Sequence, residues 1–162
     1  MIKKPTVFVL GAGASAYFGY PLGRKLINTI IEDTSSGHSR THNMLEKCGF
    51  SSELILAFRN ALRKAPAQSI DFFLEHNKDN FMDIGKCAIA ATLIPYENEL
   101  SLHEDENYGL KNWYKYLFEK MSMSTKFRDF IKNEIAFVTF NYDRSLEHFF
   151  HSSLEAFYNE KK

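Results

Sequence analysis

Residues Thr6–Gly23 read TVFVLGAGASAYFGYPLG. Thr6–Leu10 is short, β-branched and aromatic, and is bounded by Pro5 and Gly11, which predicts a buried strand. From Ser15 to about Asp33 the pattern turns helical, with Leu22, Leu26, Ile27, Ile30 and Ile31 on one face. A strand, a glycine turn and a helix in that order make an anion site. The first N–H groups of the helix point outward and its macrodipole adds partial positive charge. Gly11 allows the tight turn, and Gly13 lets a phosphate reach the backbone without meeting a side chain. Ser15 either caps the helix or donates to a phosphate oxygen. Ala16 stands where a dinucleotide fingerprint has its third glycine, a tolerated exchange. Glu32 and Asp33 lie at the distance of the fingerprint's acid, but they end a helix rather than a strand and are set aside. No Gly-Lys-Ser/Thr follows, which excludes a Walker loop. Glycines placed for turn geometry alone are the competing account.

Working outward, residues 34–42 form a polar loop and a helix covers about 42–64, broken near Gly49–Ser52. After Pro66, Ser69 is placed to cap a helix carrying Ile70, Phe72, Phe73 and Leu74. Further helices are expected at about 79–94, 108–121 and 125–132, with the acidic stretch ENELSLHEDEN as a solvated loop. Glu134–Phe140, EIAFVTF, is the second convincing strand, and the residues after Asn141 return to helical spacing. The expected fold class is α/β: a Rossmann-like parallel sheet with a large helical insertion at about 40–133 between the two motif strands. Two strands are few for a parallel sheet, which is normally built of several and covered on both faces. The chain is therefore expected to be the N-terminal part of a larger domain, incomplete at its C-terminus.

The 162 residues hold 20 Lys+Arg and 20 Asp+Glu, so no global field gathers nucleic acid or anionic lipid. The hydrophobic fraction of 44%, with 15 Phe and 8 Tyr, suffices for a real core. Cys48 and Cys87 lie far apart with no CxxC pair, giving neither a disulfide framework nor a zinc quartet, and fit a reducing compartment. The N-terminus lacks the long apolar core of a signal peptide, and no apolar run reaches membrane-spanning length. A soluble cytoplasmic protein without metal is expected. His38 with His42, and His148 with His151, have the spacing of one helix face, yet no carboxylate or cysteine clearly completes a metal set.

Thr139-Phe-Asn141-Tyr-Asp143 closes the second strand. In open parallel sheets ligands bind outside such strand ends, so Asn141 and Asp143 are expected to face the crevice lined by Gly11–Ser15. The alternative is that one of them merely caps the last helix. GAG followed by Ser15, then Gly19 and Pro21, with T-x-N-Y-D far downstream, resembles the pairing of motifs in sirtuins. It resembles most the sirtuin-like domains of bacterial antiphage defence proteins, over roughly residues 6–150. Ser69–Asn77, SIDFFLEHN, is also similar to a family segment.

The resemblance implies NAD as ligand or substrate and, in many defence-type domains, cleavage of the nicotinamide–ribose bond. It places Gly11, Ala12, Gly13 and Ser15 on the pyrophosphate and adjoining ribose, with Gly19, Pro21 and Thr139 among the binding residues. Asn141 would orient the nicotinamide ribose and the attacking water, and Asp143 would meet the carboxamide. The oxocarbenium-like centre of such a cleavage needs a placed water and fixed dipoles more than a strong nucleophile. The chain departs from the family twice. Two lone cysteines cannot build the zinc module of the protein deacylases. No His-Gly follows Asp143, so the family's general base is missing, and His148 and His151 sit on a helix instead. A non-catalytic NAD or ADP-ribose sensor is the alternative. The expected partners are NAD and either a further copy of the chain or a C-terminal sensor domain, without direct contact to nucleic acid or membrane.

Overall fold

The computed structural model describes residues 1–103 and 112–158. The chain is a mixed α/β protein in which two compact units are distinguished: Met1–Gly19 with the residues from Glu97 onward, and Tyr20–Tyr96.

In the first unit, β1 (Thr6–Leu10) pairs in parallel with β2 (Ile135–Thr139), Thr6 opposite Ile135 and Leu10 opposite Thr139. The ladder is prolonged by Thr6 N–H donating to the Glu134 carbonyl at 2.9 Å and Phe140 N–H to the Leu10 carbonyl at 3.0 Å. Alternation in β1 puts Thr6, Phe8 and Leu10 inward and leaves Val7 and Val9 62% and 67% exposed. Phe8 stacks on Phe137 and Trp113, with ring centroids 5.6 and 6.4 Å apart. The same unit carries α6 (Glu99–His103), α7 (Trp113–Ser122), the single turn α8 (Phe127–Phe130) and α9 (Ser145–Tyr158). Its core is aromatic: Tyr114, Phe118 and Phe149 are buried against one another. Phe150 is half-buried and Phe157 exposed.

The second unit is wholly helical: α1 (Gly23–Asp33), α2 (Arg40–Lys47), α3 (Ser52–Lys64), α4 (Ile70–His76) and α5 (Lys78–Leu93). Helix α5 packs on the other four. Its Gly85 permits the approach, since a Cβ there would overlap the Leu74 side chain of α4. Serines start three of the helices: Ser39, Ser51 and Ser69 accept hydrogen bonds from the N–H groups of His42, Leu54 and Phe72. Helix α2 ends in a Schellman motif. Gly49 N–H returns to the Glu46 carbonyl and Phe50 N–H to the Leu45 carbonyl, with Gly49 in the left-handed region at φ 91°.

Several expectations change. The helix expected from Ser15 begins only at Gly23. Residues Ala12–Ala14 and Ala16–Phe18 form two 3₁₀ turns instead. Helix α1 belongs to the helical unit, whereas α7 and α8, inside the expected insertion of 40–133, belong with the sheet. The helix expected over 42–64 is broken at 48–51, as its Gly49–Ser52 stretch suggests, but its first part, α2, begins inside the expected loop, at Arg40. Glu99–His103, expected as solvated loop, is helical and buries Leu102. Residues 104–111, which include the rest of that stretch and the start of the 108–121 helix, lie outside the described residues.

The helical unit is centred on Phe58, fully buried against Phe73 and Phe81. Replacing a buried Phe by Ala costs about 3–5 kcal/mol. Phe58→Ala is therefore expected to lower stability by about that amount in urea unfolding, while Phe72→Ala, on a side chain 54% exposed, stays within about 1 kcal/mol.

Candidate functional site

The parallel register brings the C-terminal ends of β1 and β2 to one edge, and both sequence motifs continue from there. Ser15 is the junction. Its side chain is 1% exposed, its hydroxyl donates to Asp143 Oδ2 at 2.7 Å, and it stands 3.3 Å from Asn141 Nδ2. Two pure acceptors face the single hydroxyl proton of Ser15, Asp143 Oδ2 at 2.7 Å and the Ala12 carbonyl at 3.3 Å, and the shorter, charge-assisted bond to Asp143 takes it. The Ser15 oxygen then accepts from the Asn141 amide. That assignment fixes the amide: its NH₂ faces Ser15 and its Oδ1 faces away. Asn141 Oδ1 is buried and has no hydrogen-bond partner.

The other carboxylate oxygen is equally occupied. Asp143 Oδ1 accepts from Ser145 N–H at 3.1 Å and from the Ser145 hydroxyl. Ser145 opens α9, so Asp143 satisfies a free N–H at the helix start and places negative charge against the macrodipole. Since the Ser145 proton points to Asp143, the Tyr114 hydroxyl, 2.8 Å away, donates to the Ser145 oxygen. The result is a buried chain in which Tyr114, Ser145, Ser15 and Asn141 all send hydrogens toward one carboxylate. Burial pushes the Tyr114 phenol up to about 12, and the Asp143 and Glu147 charges add to the shift.

The glycine loop lies beside this chain. Ala14 N–H turns back on the Gly11 carbonyl at 2.8 Å, and the Trp113 indole N–H holds the Ala14 carbonyl at 2.8 Å. Gly11, Ala12 and Gly13 are exposed. Gly11 is extended, at φ −117° and ψ −177°, and Gly13 has no positive φ, so the backbone demands glycine at neither position. A Cβ built on either meets nothing within 4 Å. Neither conformation nor packing accounts for these two glycines, and the space that their side chains leave opens outward. Gly19 is different: at φ 84° it ends the second 3₁₀ turn in the left-handed region and has a conformational reason to be glycine.

The expected residues therefore fall into groups. Ser15, Asn141 and Asp143 come together, and Gly11, Ala12 and Gly13 adjoin them. Thr139 is exposed and its hydroxyl accepts from Asn141 N–H at 3.0 Å, so it shapes the turn that presents Asn141. Pro21 is buried in the helical unit. The expected dipole support is absent, because the loop runs into short 3₁₀ turns rather than an α-helix. Ser15 caps no helix, and its proton is already committed. Asp143 serves the start of α9, the role weighed against it from sequence, and serves Ser15 as well. His148 and His151 are exposed on α9, His151 beside Glu155 at 3.6 Å. Three participants had gone unread: Trp113, Tyr114 and Ser145. Asp143-x-Ser145 carries a local signal, an aspartate two residues before a helix-starting N–H. Tyr114 reaches the site only through tertiary packing.

No family model, curated protein or solved structure matches the chain. Among the described residues no three His, Cys, Asp or Glu side chains converge as a metal site, and no helix is long and apolar enough to cross a membrane.

Tyr114 supplies a pH signature. A phenol held neutral in the fold contributes stability that is complete below its unfolded pKa, near 10, and is lost as pH rises toward its folded value of about 12. Comparing denaturant unfolding of the wild type and Tyr114→Phe between those pH values is expected to show the wild type losing on the order of 2–3 kcal/mol more than the variant.

Proposed function

We propose that this edge binds NAD and that the chain is an NAD-hydrolysing domain, releasing nicotinamide, of the kind found in bacterial antiphage defence proteins. The fold in this reading is the Rossmann-like one, and the compartment is the cytoplasm. The observation that carries the reading is Asn141 Oδ1, a buried acceptor without a donor beside a glycine loop with unfilled space. Leaving such an acceptor unpaired costs about 1–3 kcal/mol, and a ligand hydroxyl or amide removes that cost. The exposed Gly11–Gly13 backbone takes the pyrophosphate, where no side chain obstructs it. Asn141 Oδ1 takes a hydroxyl of the nicotinamide ribose or orients a water toward its anomeric carbon. Ser15 and Asp143 act by holding Asn141 in place: the Ser15 proton goes to Asp143, and Asp143 accepts from Ser15 and Ser145.

That last point also favours the second reading, a sensor that binds NAD or ADP-ribose without turnover. Both oxygens of Asp143 already accept hydrogen bonds within the protein, from Ser15 and from Ser145. Calorimetry with NAD, run beside an assay for released nicotinamide, separates the two. Binding with release supports the hydrolase, binding without release supports the sensor, and no binding overturns both. Gly13→Leu, which fills open space without a packing clash, is expected to abolish binding while leaving the thermal midpoint unchanged. Asn141→Ala is expected to reduce nicotinamide release by about 10²–10³-fold, the usual cost of losing one positioned polar group in an active site.

A further inference from the structure

The helical unit carries a feature that its sequence hides: its two cysteines meet. Cys48 is the C-cap of α2, fixed by the Schellman motif through Gly49 and Phe50, and Cys87 lies on α5, against which α2 packs. The packing of α2 on α5 makes Cys48 an electrostatic neighbour of the Cys87 thiol, although the two are far apart in the chain. Cys48 is exposed and Cys87 is half-buried. Burial pushes the Cys87 thiol up, and Cys48 and Asp83 add to the shift.

We propose that Cys48 and Cys87 are a redox modification site, at which a low-molecular-weight disulfide of the glutathione class converts the two thiols into a reversible intramolecular cross-link between α2 and α5. The exposed residue reacts first. Cys48 thiolate attacks one sulfur of the small disulfide, forms a mixed disulfide and expels one small thiolate. Cys87 thiolate then attacks the Cys48 sulfur, closes the Cys48–Cys87 bond and expels the second thiolate. Two protein thiols lose two protons and two electrons, and the small disulfide gains them as two thiols. A low thiolate fraction at Cys87 slows the second step but makes the bond harder to reverse, since it is the thiolate form that stabilises a reduced pair. In a reducing compartment such a bond is regulatory rather than a permanent staple.

The test equilibrates the whole chain with reduced and oxidised glutathione, quenches by alkylation, and reads intact mass and non-reducing peptide maps. The expected result is a monomer lighter by two hydrogens, with Cys48 linked to Cys87 and a thermal midpoint several degrees higher. The equilibrium constant for its formation should fall at least about tenfold in urea, where the fold no longer brings the thiols together. Cys87→Ser should accumulate the mixed disulfide on Cys48, and Cys48→Ser should form no cross-link. Wild-type protein that retains glutathione on Cys48 with Cys87 still alkylatable, that links only between chains, or that gives the same constant in urea overturns the proposal.

Discussion

One proton decides the geometry of the sheet edge. The Ser15 hydroxyl has a single hydrogen, and Asp143 takes it. Everything else at the edge follows. The Asn141 amide must present its NH₂ to Ser15, its carbonyl must turn away, and the turns after β1 and β2 are tied together by side chains from opposite ends of the chain. The strand pair is short, with Val7, Val9 and Val138 exposed on one face, so a ladder of this size gains much from a cross-tie at its end. In a buried setting such a network is stronger than the same groups in water, and any half-satisfied member is correspondingly expensive. The unsatisfied Asn141 oxygen stands out against the hydrogen bonds that join Ser15, Asp143, Ser145 and Tyr114.

The division of labour among the motif residues differs from what their order along the chain suggests. A serine after a glycine turn invites the idea of a phosphate contact, and an aspartate after a strand that of a ligand contact. Here both are spent inside the protein. Asp143 settles the start of α9 with one oxygen and Ser15 with the other. Under the proposed reading, the groups left to meet a ligand are the plainest ones: backbone at Gly11–Gly13 and one amide oxygen. The motif residues thus act by holding one another in register.

What was legible in the sequence was local. Thr6–Leu10 is bounded by Pro5 and Gly11 and forms its strand over those residues. Ser69 stands directly before an apolar helical run and caps it, and Gly49 breaks a periodic stretch where a left-handed residue is needed. The errors came where tertiary packing overrides local pattern. Ser15–Tyr20 continues into a periodic run and so reads as its first turns, yet the helical face starts only at Leu22. Burial of Ser15, Tyr17 and Phe18 holds that segment in 3₁₀ turns instead. Glu99–His103 reads as loop because of its acidic setting, but Leu102 finds a buried site and the turn forms. Juxtapositions across long separations, Tyr114 on Ser145 or Cys48 on Cys87, left no trace in spacing or composition.

The uniform sense of the hydrogen bonds around Asp143 has an electrical consequence. With these hydroxyl and amide protons aimed toward Asp143, the array ends on a carbonyl oxygen carrying partial negative charge. An anion is repelled at that end, whereas the bare amide backbone of the glycine loop attracts one. The edge is thus a ruler with unlike ends, and under the reading proposed above that polarity would orient the dinucleotide with phosphates toward Gly13 and sugar toward Asn141.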